Sequence, residues 1–180
     1  MATEKIDIRR ELFDWAQALV GAIILVILFF TFLARIISVD GESMRNTLQD
    51  KDRIVISSLF YQPSHGDIIV FTKPDYRVGS RVEPLVKRII AVGGDVIDID
   101  PEARTVSVNG EILDEPYIRN DVNHGGKWTY PMIIPEGSVF VMGDNRQNSR
   151  DSRDPMIGLV DERSIMGRLL FRLWPRPGAV

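Results

Sequence analysis

The longest run of one polarity lies close to the N-terminus. Residues 15–34 carry no charge, and within residues 18–34 the one polar side chain is Thr31. Twenty residues at ~1.5 Å each make a helix of ~30 Å, the thickness of a bilayer's hydrocarbon core. A helix buried in a soluble core would alternate an apolar stripe with a wet face, and this run does not. A cleavable leader has a shorter apolar core and a small-x-small cut site. Thr31-Phe32-Leu33-Ala34-Arg35 offers no such site. The pattern predicts a transmembrane helix over residues 15–36, with Trp15 and Arg35 as interfacial anchors. Residues 1–14 form a tail on one side, and residues 37–180 form a domain on the other. No second apolar run of that length follows, so a single-pass protein is expected.

After residue 40 the pattern becomes that of short strands. Residues 67–71 are an apolar strand entered from Pro63-Ser64-His65-Gly66, and residues 85–92 are another, ended by Gly93-Gly94-Asp95. Residues 96–99 continue as strand. Residues 104–108 alternate in polarity, meet Asn109-Gly110 and return through residues 111–113, the signature of a two-residue type I′ hairpin. Residues 138–142 and 165–173 supply further strands. Residues 114–130 read as a polar loop or an insertion. The fold class expected is mainly β: an antiparallel, barrel-like domain with a smaller β lobe inserted over about residues 96–140.

Charge and composition narrow the function. The net charge is −3. Residues 1–14 carry three basic and four acidic side chains, and residues 40–180 carry 18 and 21. No basic field marks a nucleic-acid binder. Lys5, Arg9 and Arg10 precede the apolar run, while Arg35, Arg45, Lys51 and Arg53 follow it, so charge counting does not choose an orientation. Cysteine is absent, which excludes disulfides, thiolate metal sites and a cysteine nucleophile. Residues 144–155 fail as a calcium loop, with Arg146, Ser149 and Pro155 at positions 3, 6 and 12.

Three islands carry candidate chemistry. Ser43, nine residues beyond Ala34 and one of eleven serines, stands in Val39-Asp40-Gly41-Glu42-Ser43-Met44. It reads either as a turn residue or as a nucleophile beside a lipid surface. A serine nucleophile needs a base. His65 and His124 both sit in turns and read as solvated loop residues. Lys87 lies in an apolar strand beside Arg88, and strand alternation sends the two to opposite faces. Either Lys87 snorkels out as a strand-face charge, or burial lowers its pKa enough to make it a base. Arg88 stays charged and cannot take that role. The third island, residues 143–153, follows a strand and is dense in hydrogen-bonding groups. It reads as a solvated loop or as a scaffold presenting a hydroxyl to a buried amine.

Taken in order, Gly41-Glu42-Ser43-Met44-Arg45-Asn46-Thr47-Leu48, Gly66-Asp67-Ile68-Ile69-Val70-Phe71, Lys87-Arg88-Ile89-Ile90 through Gly94-Asp95, and Gly143 to Arg153 resemble the bacterial type I signal peptidases. These are membrane-bound serine/lysine peptidases of family S26, here in the single-span form of Gram-positive bacteria. The resemblance implies a hydrolase that removes N-terminal signal peptides from exported preproteins after small residues at −1 and −3. Ser43 would be the nucleophile, Lys87 the general base, and Ser149 the group that orients the lysine. Asp151 and Arg153 would pair in support, and Asp144 and Arg146 would shape the loop. Ile37, Val39, Gly41, Met44, Leu48, Val70, Leu85 and Val86 would bind substrate. Gly41 stands where some members place an oxyanion-binding serine, which leaves that task to the Ser43 amide and a second backbone donor or water. Asn46 and Gly93 stand where prolines are common, which loosens loops rather than removing reactive groups.

No metal and no cofactor are implied. Implied partners are preproteins, the lipid bilayer and, transiently, the secretion translocon, with no nucleic acid. The implied location is the cytoplasmic membrane, with residues 1–14 cytoplasmic and the catalytic domain outside. Two rivals were weighed. A self-cleaving repressor of related chemistry would need a DNA-binding domain where the apolar run stands. A catalytically inactive membrane-tethered relative would not need Ser43, Lys87 and Ser149 together.

Overall fold

The structure, a computed structural model, describes residues 8–32, 34–78 and 80–178. The chain forms two compact units, Met1–Arg35 and Ile36–Val180. The first unit contains helix α1 (Ile8–Phe32). Its stretch Ile8–Leu28 has a mean hydropathy of 1.9 and is long and apolar enough to cross a membrane. The helix starts ahead of the apolar run, because Arg9, Arg10, Glu11 and Leu12 are themselves helix formers. It does not reach Arg35 and Ile36, where the sequence pattern extended it. Those residues are in strand, where β-branched Ile36 and Ile37 gain from sheet pairing what they lack in helix propensity. Residues 1–7 of the expected tail, and Leu33, lie outside the described residues.

The second unit is built from thirteen strands that begin at the unit boundary. They are β1 (Arg35–Ser38), β2 (Arg53–Ser57), β3 (Ile68–Phe71), β4 (Arg77–Val78), β5 (Arg81–Val82), β6 (Leu85–Ala91), β7 (Val96–Asp100), β8 (Thr105–Val108), β9 (Glu111–Ile112), β10 (Met132–Ile133), β11 (Ser138–Met142), β12 (Val160–Asp161) and β13 (Ile165–Trp174). Seven strands make a curled half-barrel sheet in the order β1-β2-β13-β3-β6-β11-β12. A second sheet runs β10-β7-β8-β9, and β4 and β5 form a separate hairpin. The fold is therefore mostly antiparallel β with a small inserted lobe.

Burial follows polarity strand by strand. In the second sheet, Ile97, Ile99, Val106 and Val108 point inward while their neighbours stay wet. Their inner face packs on Ile90, Phe140 and Met142 of the main sheet, so one apolar cluster joins the two sheets. The central strands are apolar on both faces: all four residues of β3 are buried, as are Val86 to Ala91 of β6. The Asn109-Gly110 hairpin forms as its sequence predicts. Val108 pairs with Glu111, and both loop residues have positive φ, 55° and 85°.

Strand β13 ties the main sheet together. It pairs with β2 through Arg168 to Trp174 and with β3 through Ile165 to Arg168. At the crossover a Cβ on Gly167 would lie 2.8 Å from the Ser57 carbonyl carbon, so no larger residue fits without moving backbone. Gly93 is similarly enclosed, with a Cβ there 2.9 Å from the Glu136 Cα, and its smallness outweighs the stiffness a proline would bring. Gly167→Val should lower stability by roughly 1–3 kcal/mol through overpacking. Thermal unfolding of the detergent-solubilised protein measures this, and an unchanged midpoint would show that the two strands have room to part.

Candidate active site

Each island of the sequence arrives at the site on a different element. Ser43 lies in the turn that follows β1, half-buried. That turn is pinned at its base: the Val39 amide donates to Asp52 O, the Gly41 amide to Asp50 Oδ1, and the Leu48 amide to Met44 O, each at 2.8 Å. Gly41 has φ +93°, a conformation that glycine adopts without strain. Met44 and Leu48 turn inward and anchor the segment in an apolar cluster with Ile54, Ile56, Ile68 and Val86.

Lys87 is 3% exposed on β6. Its Nζ donates to Ser43 Oγ at 2.7 Å and to Val86 O at 2.9 Å. The snorkelling alternative is thereby excluded, since the side chain is buried and its amine is bonded within the domain. Burial pushes the Lys87 pKa down to about 8, against the pull of the Asp151 and Asp144 carboxylates, which would keep the amine charged. Arg88 is also buried, so β6 carries two adjacent enclosed cations.

The acids near Lys87 are neutralised elsewhere. Asp144 takes a two-pronged hydrogen bond from Arg88, Nε to Oδ1 at 2.9 Å and Nη2 to Oδ2 at 2.7 Å, and a further one from the Thr47 hydroxyl. Arg88 also donates to Gly66 O and stacks over the Tyr117 ring at 3.9 Å. Asp151 takes two bonds from Arg153, both at 2.8 Å, and one from the Gly143 amide. Burial by itself would raise the Asp151 carboxyl, but the Arg153 guanidinium and the Gly143 amide hold it below the usual range. Arg146 is not Asp144's partner. It donates to both Glu115 oxygens at 2.7 and 2.5 Å and, through Nε, to Gly143 O. Asp151 and Arg153 thus form a fully buried ion pair. Arg88, Thr47 and Glu115 were missed as supports, and nothing local in their sequence marks them.

Ser149 departs from expectation. Its hydroxyl makes no hydrogen bond to Lys87 and is buried without a hydrogen-bond partner, although its dipole contributes to lowering Asp151. It nevertheless belongs to the site. A Cβ on Gly143 would lie 2.2 Å from Ser149 Oγ and 2.5 Å from Ser43 O, so only glycine at 143 lets these residues meet. The Asn145 amide closes the junction by donating to Ser43 O at 3.0 Å, and its side chain donates to Glu42 O.

A cavity of about 220 Å³ opens at Ser43 and Lys87. Of the eight expected substrate-binding residues, Val39, Gly41, Met44, Leu85 and Val86 line it. Ile37, Leu48 and Val70 do not line it and belong to the apolar cluster behind it. Alternation along an apolar strand cannot separate a pocket wall from the core beneath. Asp40, Glu42, Tyr76, Pro84, Asn148 and Arg150 complete the lining and were not foreseen. β11 pairs with β6 only from Arg88 onward, so Leu85 to Lys87 have β3 on one side and no strand on the other. Neither histidine reaches the dyad: His65 bonds Asp95 at 2.6 Å, and His124 lines a neighbouring groove. Among the described residues no cluster of three or more His, Asp or Glu is placed to hold a metal.

The family described as signal peptidase, peptidase S26, matches residues 12–174. Signal peptidase IB of Staphylococcus aureus is 31% identical over 93% of this chain and 92% of its own. Signal peptidase I S of Bacillus subtilis strain 168 is 31% identical over 97% and 96%. A crystal structure of a signal peptidase I from Enterococcus faecalis V583 superposes with a TM-score of 0.48 at 29% identity, covering 61% of this chain and 98% of that one. The chain belongs to the signal peptidase family, peptidase S26, and is a peptidase with an N-terminal helix fit to anchor it in a membrane.

The buried lysine has a cost that can be measured. Its pKa is about 8 in the folded state and near 10.5 in the unfolded chain. Between those values the unfolded state binds more protons, so stability rises with pH. Below pH 8 the full penalty stands, roughly 3 kcal/mol. Lys87→Met should therefore be more stable than the parent at pH 7, with the difference closing towards pH 10.5. Urea unfolding of both proteins across this range tests it, and a difference independent of pH would count against a depressed lysine.

Proposed function

We propose that the protein is a membrane-bound signal peptidase I that cuts signal peptides from exported preproteins with a Ser43–Lys87 dyad. The observation that carries this reading is the 2.7 Å contact between Lys87 Nζ and Ser43 Oγ, with the lysine pKa brought to about 8. The neutral amine takes the hydroxyl proton as Ser43 Oγ attacks the scissile carbonyl. The Ser43 amide stabilises the oxyanion, with Gly41 leaving room for the substrate chain. The ammonium returns its proton to the leaving amine, and a water activated by Lys87 then hydrolyses the acyl-enzyme. Ser149, crowded against Gly143 beside Ser43, positions the amine once Ser43 Oγ is acylated. Asp144, Arg146, Asp151 and Arg153 hold the loop that delivers it.

The substrate lies extended along the open edge of β6 at Leu85 to Lys87, completing the sheet locally. Residues −1 and −3 of a strand share one face. In this reading that face meets Val39, Met44, Leu85 and Val86, and small side chains are expected at −1 and −3. The domain over residues 37–180, with its lobe over about 96–140, works on the outer face of the cytoplasmic membrane. Residues 1–14 remain inside. Its partners are preproteins held in the same bilayer, met at the secretion translocon.

Ser43→Ala and Lys87→Ala should each lower cleavage of a fluorogenic signal segment more than about a thousandfold while the protein stays folded, because nucleophile and base act as a unit. Lys87→Arg should be equally inactive, since guanidinium keeps its proton. In the parent, the rate should rise with pH through one ionisation near 8. A tenth of parental activity in Lys87→Arg would remove Lys87 as the base. Full activity in Ser43→Ala would remove Ser43 as the nucleophile, and a parent that cuts nothing would leave the chain a binding module.

A further inference from the structure

We infer that the groove beside the catalytic cavity takes the first residues of the mature chain and prefers acidic side chains there to basic ones. This rests on the peptidase reading above, in which Lys87 returns a proton to the leaving amine. That step places the nitrogen of residue +1 beside the lysine. The chain before the cut occupies the apolar walls at Val39, Met44, Leu85 and Val86, so the chain after it must leave on the other side, past residues 148–150. A groove of about 680 Å³ begins there, and Asn148 and Arg150 line both it and the catalytic cavity.

The groove is cationic in a chain whose net charge is −3. Lys127, Arg150 and Arg153 line it; the buried Arg153 is paired with Asp151 and Arg150 with Asp154, which among the described residues leaves Lys127 as the uncompensated cation. Asp154 is already engaged, accepting from the Met156 amide and pairing with Arg150 at 3.3 Å. Lys127 is exposed and free to meet a ligand from the rim. Lys127 reaches this place through a glycine: Gly126 has φ +78°, and a Cβ on it would lie 2.0 Å from Arg153 O. The chain can therefore lie directly on Arg153 and carry the next residue, Lys127, to the wall. A carboxylate at +1 or +2 would meet Lys127, and a lysine there would meet like charge.

The test uses the full-length enzyme in detergent and three peptides that differ only in carrying Glu, Gln or Lys at both +1 and +2. The expected order of kcat/KM is Glu, then Gln, then Lys. About fivefold should separate the extremes, narrowing as salt is raised from about 0.05 to 0.5 M. Lys127→Glu should invert the order, and Lys127→Gln should flatten it. The readout is a ratio between peptides, so a general loss of activity in a variant does not disturb it. Equal cleavage of all three peptides by the parent enzyme would overturn the inference, as would an order untouched by Lys127→Glu. If the parent cut none of the three, the peptidase reading itself would fail.

Discussion

A buried lysine can shed its proton near neutral pH only if the carboxylates around it are already spoken for. Asp144 and Asp151 are both buried and both pull on Lys87. Were either left unpaired, it would hold the ammonium and the amine would be lost as a base. Arg88 answers one and Arg153 the other, each with two hydrogen bonds. The fork of the guanidinium suits this task, because it satisfies both carboxylate oxygens and never gives up its own charge. Four buried ions thus serve to leave a fifth group free to be neutral.

Such a network is costly to desolvate and holds only if its geometry is fixed. The inserted lobe supplies much of that fixing. Glu115 holds Arg146, the Arg119 amide donates to Asp144 O, and Tyr117 covers the Arg88 guanidinium. The loop of residues 143–153 is therefore held between the main sheet on one side and residues 115–119 on the other. The lobe is part of the machinery of the site, even though it contributes no residue to the lining of the catalytic cavity.

The legible parts of the molecule were those encoded locally. The apolar run, the alternating strands at 96–108 and the Asn109-Gly110 turn show directly in the order of residues. Ser43 and Lys87 stood out only when their islands were taken together. Their contact spans 44 positions, and no periodicity reports it. The supports were harder still: Arg88 reaches Asp144 over 56 positions, and Thr47 reaches it over 97. Short edge strands such as β1, β10 and β12 exist because neighbours pair with them, and two to four residues carry too little pattern to announce themselves. Ile37, Leu48 and Val70 failed as pocket walls for a related reason. Val70 lies on β3, which is buried on both faces, Ile37 on the largely exposed β1 and Leu48 in the turn after it, and at none of the three does polarity say whether an apolar residue faces the cavity or the core.

The chain contains no cysteine, and the strongest links around the site are ionic. A disulfide-stapled domain fails when its surroundings become reducing, and this one is indifferent to that. Its weak point is acid. As protons reach the carboxylates, the guanidinium groups lose their partners while still buried, and the loop that carries Ser149 loses its hold. Redox conditions around the domain can vary without breaking any covalent link at the site. In the proposed mechanism the acid side is limited first by protonation of Lys87 near pH 8 and, only at much lower pH, by the loss of these pairs.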